Sequence, residues 1–155
     1  MDDMYDDFWG AFLEETGTPE NTYLNRVTYF GEDWESSCRI MEEYLFGERK
    51  AISHCIPYYL VTRTPMPKVG DYTMVTDFYG NPCLVLRTKD VVIAPIPEIP
   101  EEIARLENQG DLAAWREKKK EEFQAMAKKS TFHYNDENPV LMEIVEVLYP
   151  EAETR

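Results

Sequence analysis

The chain has 155 residues, 43% of them hydrophobic, which suits one ordinary domain with a proper core. Its formal net charge of -14 is adverse to a long polyanion, because phosphate binding draws on lysine and arginine to release counterions, and it excludes indiscriminate binding to duplex DNA. No apolar run approaches the roughly 18 residues of a membrane span, and the acidic start is the opposite of a secretory leader's basic one, so a cytoplasmic protein with no membrane partner is expected.

Met4, Phe8, Trp9, Phe12 and Leu13 recur at helical spacing, and Gly17 with Pro19 ends that pattern as a left-handed cap followed by a breaker would. A second helix is expected from about Glu32 to Leu45, with Trp34, Cys38, Met41 and Leu45 on its apolar stripe and Gly47 as its stop. Extended segments are expected within Ser53 to Val61, Asp71 to Thr76, Cys83 to Ile93 and Val140 to Tyr149. Asp77-Phe78-Tyr79-Gly80-Asn81-Pro82 joins the second and third of these as the turn of a hairpin. Pro95, Pro97 and Pro100 then break the chain, and Asp111 offers an N-cap to a helix from Leu112 to about Lys129. No internal repeat, low-complexity tract or linker divides this run.

On that last helix Leu112, Trp115, Lys119, Phe123 and Met126 fall at steps of three and four, which places Lys119 inside the apolar stripe. Either its stem covers hydrophobic surface while the ammonium reaches water, or it reaches into a cleft between helix and sheet. Glu143 interrupts an apolar terminal strand between Met142 and Ile144, so on an inward face it needs a partner, such as Arg49 or Lys50. Cys38, Cys55 and Cys83 stand singly and read as small core residues. His54 and His133 lack ligand spacing, so no metal and no cofactor are expected. Tyr58, Tyr59, Phe78 and Tyr79 are candidates to stack on a base, with Tyr58 and Tyr59 placed to wall a cleft beside the basic segment Arg49-Lys50.

Several pieces stand in an order that matches a known family. They are Phe8-Trp9 with Phe12-Leu13 and Gly17, Tyr29-Phe30-Gly31, Gly47 with its basic neighbours, Pro67-Lys68-Val69-Gly70-Asp71, and Thr88-Lys89-Asp90-Val91. Gly110-Asp111, Trp115-Arg116-Glu117 and Glu143 ahead of Val147-Leu148-Tyr149-Pro150 complete the series. The chain thereby resembles the ASCH domain, a relative of the PUA barrel associated with RNA. The resemblance implies an α+β fold, a small PUA-like, partly closed mixed β-barrel with flanking α-helices. Residues 1–155 would form a single domain, with N-terminal helices over about 2–46 and a barrel with inserted helices over about 50–150. It also implies recognition of RNA or a nucleotide-like small ligand, and the charge favours the small ligand. Hydrolysis of an acylated nucleoside and ribonuclease action are the enzyme alternatives, and a non-nucleic-acid interaction module is the third.

In the hydrolase relatives a lysine, a threonine and a carboxylate form the site. The pattern of a glycine, a basic residue two later and a hydroxyl three after that gives Gly47, Arg49 and Ile52 if taken literally, and Lys50 with Ser53 if shifted by one. The shifted reading makes Ser53 the nucleophile, Lys50 its base and Asp90 the helping carboxylate. It requires a turn between Lys50 and Ser53, since residues three apart in a strand point to opposite faces. Arg49, Tyr58, Tyr59, Lys119 and Glu143 are the residues expected to bind the ligand.

Overall fold

Hydrophobic spacing, caps and turn residues set the elements of the chain, whose computed structural model describes residues 3–151. By its contacts the chain divides into two compact units. The first is built from the segments up to Glu48, from Gly70 to Thr88 and from Glu146 onward; the second takes Arg49–Val69 and Lys89–Val145. The strands follow the order β1-β3-β4-β5-β2 in one mixed sheet. They are β1 (Arg26–Tyr29), β2 (Ala51–Cys55), β3 (Tyr72–Thr76), β4 (Pro82–Pro95) and β5 (Pro139–Tyr149). No described helix is long and apolar enough to cross a membrane.

In the first unit, helix α1 (Asp3–Thr16) buries Phe12 completely. That ring meets Trp9, Tyr72 and Tyr149 at centroid distances of 5.0, 6.0 and 6.0 Å. Gly17 ends the helix with φ of 70°, the left-handed cap the sequence calls for. Helix α2 (Trp34–Phe46) opens on a capping box, in which Asp33 accepts from the Ser36 N–H and the Ser36 side chain returns the bond to the Asp33 N–H. Its buried face is Ser37, Met41 and Tyr44, not the expected stripe of Trp34, Cys38, Met41 and Leu45. The stack of Phe30 on Tyr44, at 4.9 Å and 13°, turns the helix by about one position and leaves Trp34 outside. α2 ends at Gly47, where the backbone turns extended, and a Cβ in that conformation would lie 2.9 Å from the Glu43 carbonyl oxygen, which favours glycine there. Strand β1, which lies between the two expected helices where the sequence points to no element, pairs parallel to β3.

Strands β3 and β4 form the expected hairpin. Asp77 holds its turn: the carboxylate accepts from the Tyr79 N–H at 2.9 Å, the Asn81 N–H at 2.9 Å and the Asn81 amide at 3.0 Å, while Gly80 takes φ of 89°.

In the second unit β2 and β5 pair antiparallel, with Ile52 opposite Glu143 and Ser53 opposite Met142. Of the stretch Ser53 to Val61, within which an extended segment is expected, Ser53–Cys55 belong to β2 and the rest enters helix α3 (Ile56–Thr62), because Pro57 fits the first turn, where no backbone donor is needed. The proline-rich stretch itself holds a 3₁₀ turn at Ile96–Glu98, capped by Pro95, and the single turn α4 (Glu101–Ala104) starts after Pro100. Helix α5 (Leu112–Ser130) starts at Asp111, whose carboxylate caps the Ala113 and Ala114 N–H groups. Its buried Trp115, Phe123 and Ala127 pack with Ala51, Cys55, Val140 and Met142 of the two strands. Arg116 ties the helix to the 3₁₀ turn by donating to the Ile99 carbonyl at 2.8 Å. Cys55 is a buried core residue as expected, whereas Cys38 and Cys83 are half-buried.

Candidate functional site

Ser53 stands at the middle of β2, and strand alternation gives Ala51, Ser53 and Cys55 one face and Ile52 and His54 the other. The first face looks onto the turn after α4. There the Leu106 carbonyl accepts the Lys50 N–H at 2.7 Å, which anchors the turn to the start of β2 and brings Glu107 against Ser53.

Glu107 is a buried carboxylate with converging donors. Oε2 accepts the Ser53 N–H at 2.5 Å, and Oε1 accepts the Ser53 hydroxyl at 2.9 Å and the Trp115 indole N–H at 3.0 Å. The Lys119 ammonium lies 3.1 Å from the same Oε1 and 3.1 Å from Glu122 Oε2. Burial alone would push the Glu107 carboxyl up. The Lys119 and Arg49 charges and the hydrogen bonds of Trp115 and Lys119 outweigh it, and the group lies below the usual carboxylate range. For Lys119 burial acts downward, and the charges and bonds of Glu107 and Glu122 outweigh it, so its ammonium is held above the usual lysine range. At neutral pH the pair is therefore a carboxylate and an ammonium in a partly desolvated setting.

A second polar group occupies the opposite face of the same strands. His54 Nε2 lies 2.8 Å from Glu143 Oε1 and its Nδ1 lies 2.7 Å from the Tyr59 hydroxyl, so the imidazole bridges strand β5 and helix α3. Glu143, 1% exposed, has its inward face and a basic partner; that partner includes His54, which the sequence reading did not consider.

The sequence-derived site residues divide between these two faces. Arg49 is half-buried and its charge reaches Glu107, and Lys119 joins the same cluster in place of reaching bulk water. Ser53 is in the cluster. Lys50 is not placed with it. The strand stays regular from Ala51 to Cys55 and the Lys50 carbonyl still accepts the Val145 N–H at 2.9 Å, so alternation puts Lys50 on the side of Ile52 and His54. The turn that a Lys50–Ser53 pair needs is absent. Asp90 sits at an exposed position of β4, where its carboxylate accepts the Val91 N–H at 2.8 Å, and the carboxylate on Ser53 is Glu107. Tyr58 packs on the core and against Phe132 at 6.4 Å, and Tyr59 is engaged by His54.

Glu107 is the site residue that the sequence reading missed. Its segment, Arg105-Leu106-Glu107-Asn108-Gln109, reads as ordinary polar surface. The available signal was indirect: Lys119 on an apolar stripe needs either water or an acid facing it.

A model of the ASCH domain matches residues 26–149. Among curated proteins no significant match is found. An ASCH domain structure from Lactobacillus crispatus JV V101 superposes with a TM-score of 0.83 at 21% identity, covering 96% of each chain. A protein structure from Enterococcus faecalis V583 superposes with a TM-score of 0.85 at 21% identity, covering 99% of this chain and 94% of that one. At such identity these structures speak for the fold alone, and they agree with the α+β mixed sheet and helices expected of a PUA-like protein. The family match, spanning most of the chain from β1 to the end of β5, makes the protein a member of the ASCH domain family.

Proposed function

We propose that this ASCH domain recognises a nucleotide-like small ligand through the Ser53–Glu107–Lys119 cluster, with Arg49 beside it. The observation that carries the proposal is Glu107, an ionised and buried carboxylate fixed by a serine of β2 and by an indole and a lysine of α5. Such a group is held in one orientation before any ligand arrives, and a carboxylate flanked by a hydroxyl and cations suits the mixed donor and acceptor edge of a base. The net charge of -14 favours a neutral nucleoside over a long phosphate chain. Calorimetric titration with a panel of free and N-acylated nucleosides tests it. Saturable binding by the wild type, weakened about tenfold or more in Glu107→Gln, is expected for a lost charge-assisted bond. A panel with no binder, or equal binding by the variant, refutes it.

One observation favours a second reading. The Ser53 hydroxyl donates to Glu107 Oε1 at 2.9 Å, and Lys119 lies 3.1 Å from that oxygen. As a hydrolase on an acylated nucleoside, Ser53 would give its proton to Glu107 and attack the acyl carbon. The nucleoside amine would leave with that proton, and water would then free the acyl group. Glu107 would then be the base, the part expected of Lys50, and Lys119 would hold that carboxylate in place, as the helping residue expected at Asp90 would. A carboxyl held below its usual range is a weak base at neutral pH, which is why recognition comes first. Mass spectrometry of N-acylated nucleosides incubated with wild type and Ser53→Ala separates the two: acyl loss with the wild type alone establishes the hydrolase.

A further inference from the structure

We propose that the aromatic ladder of the first unit, formed by Tyr29, Phe78, Tyr79 and Trp34, is a docking surface for a basic, extended peptide segment of a partner protein that adds along the edge of β1. The ladder is continuous. Tyr29 meets Phe78 at 5.7 Å and 90°, Phe78 meets Tyr79 at 5.8 Å and 77°, and Tyr79 stacks on Trp34 at 5.3 Å and 24°. Three of its rings nonetheless lie in water, with Tyr79 74%, Tyr29 55% and Trp34 44% exposed, and Phe78 is half-buried between Tyr29 and Tyr79. Scattered apolar residues on a surface need no explanation, but a connected series of rings pre-arranged in mutual contact marks an interaction site.

Backbone geometry adds an independent argument. β1 is the terminal strand of the sheet, and Val27, Thr28 and Tyr29 are all exposed. Alternate N–H and C=O groups of a terminal strand point outward and accept an added strand, with side-chain contacts supplying selectivity.

Charge selects the occupant. Trp34 stands between Asp33 and Glu35, with Glu32 next in sequence, all on exposed positions. The Tyr5 hydroxyl comes within 3.4 Å of the Cβ position of Gly80, so the first turn of α1, with Asp3 and Asp6, adjoins the turn that carries Phe78 and Tyr79. Helix α1 has no basic residue, Arg26 of β1 is turned onto Thr73 Oγ1 at 3.0 Å, and the one cation of α2, Arg39, whose charge reaches Asp33, stands against Glu32, Asp33, Glu35, Asp3 and Asp6. Carboxylates around open ring faces fit guanidinium and ammonium groups, which settle on the rings and pair with the acids together. A phosphate backbone meets repulsion at the same place, as does a second copy of a chain of charge -14.

The test is fluorescence anisotropy of the full chain with a labelled alternating arginine–valine peptide, an alternating glutamate–valine peptide and a short oligouridine. The expected result is saturable binding of the arginine peptide alone, weakened by salt, and reduced about tenfold or more in both Trp34→Ala and Tyr79→Ala, as for a ring at the centre of an interface. Both side chains are exposed, and circular dichroism checks their fold. Should either variant unfold, Glu35→Lys must weaken binding by itself. Absence of saturable binding, binding retained in the variants, oligouridine bound more tightly at the same residues, or a wild-type dimer that Tyr79→Ala dissociates would each overturn the proposal.

Discussion

Lys119→Met isolates the ion pair of the second unit, because methionine keeps the apolar stem and removes the charge. The side chains of Lys119 and Glu107 are 17% and 2% exposed, so water screens the pair little. Without Lys119 the carboxylate keeps Arg49's charge and the bonds from Ser53 and Trp115. Breaking a buried pair from one side costs about 3–5 kcal/mol, and those remaining partners put the expectation near the lower figure. Glu107→Gln, which keeps one acceptor oxygen, is expected to lose about 2 kcal/mol. The double variant should fall short of the sum by about 2 kcal/mol, as for groups that act on one another. All four proteins can be compared by urea unfolding, since a domain of about 5–15 kcal/mol remains folded through such changes. The acid dependence follows from the direction of the shift. Glu107 is held below its ordinary value, so its contribution is complete above the unfolded carboxyl pKa of about 4.3 and is lost as pH falls through the lower folded value. Removing Lys119 raises the carboxyl, and protonation then relieves the unpaired charge. The gap between wild type and Lys119→Met should therefore narrow as the solution is taken from neutral to acid. A cost below about 0.5 kcal/mol, the value for an exposed pair, or a gap that does not change with pH, would refute the reasoning.

Asp77→Ala removes three hydrogen bonds from the β3–β4 turn and should lower unfolding free energy by about 2 kcal/mol in urea, with an unchanged value showing that the turn holds itself. Gly47→Ala puts a Cβ 2.9 Å from the Glu43 carbonyl, a backbone atom that cannot rotate away, and a loss of about 1–3 kcal/mol is expected in a thermal melt. His54→Ala takes a 2.8 Å partner from the buried Glu143, and a loss of about 1–3 kcal/mol in urea unfolding is expected for a buried polar group left with one hydrogen bond fewer. Asp90→Ala, at an exposed site, should stay within about 0.5 kcal/mol of wild type by the same urea assay; a larger loss would give Asp90 a partner that its position on β4 does not.

What the sequence discloses depends on how far the deciding contact lies along the chain. Helix α5 was legible because its signals are local: Asp111 caps it, and the apolar steps through Trp115 and Phe123 give its buried face. The hairpin was legible for the same reason, since Asp77, Gly80 and Asn81 build the turn among themselves. Within Ser53 to Val61 the strand is legible and its end is not: aromatic and branched side chains favour strand beyond Cys55, while the stronger local instruction is Pro57 in a first helical turn. Helix α2 was found, but its orientation was not, because the stack of Phe30 on Tyr44 comes from outside the helix. β1 has no alternation to read: three of its four residues are exposed, and its pairing is with residues far along the chain.

The candidate site shows the same rule at its sharpest. Ser53 and Glu107 are 54 residues apart, and nothing around Glu107 in sequence distinguishes it from the many surface acids of the chain. Lys119 did carry a trace of the arrangement, as a charged residue on an apolar stripe has to be answered by an opposite charge or by water. Family pattern drew attention to Gly47 through Ser53 and so to a Lys50–Ser53 pair, which strand alternation does not permit once the segment from Ala51 to Cys55 is regular. The parity of a strand is thus more decisive for this site than the identity of its residues. It assigns Ser53 to Glu107 and the helix, and His54 to Glu143 and Tyr59, so that two polar groups of different chemistry are held back to back on two neighbouring residues.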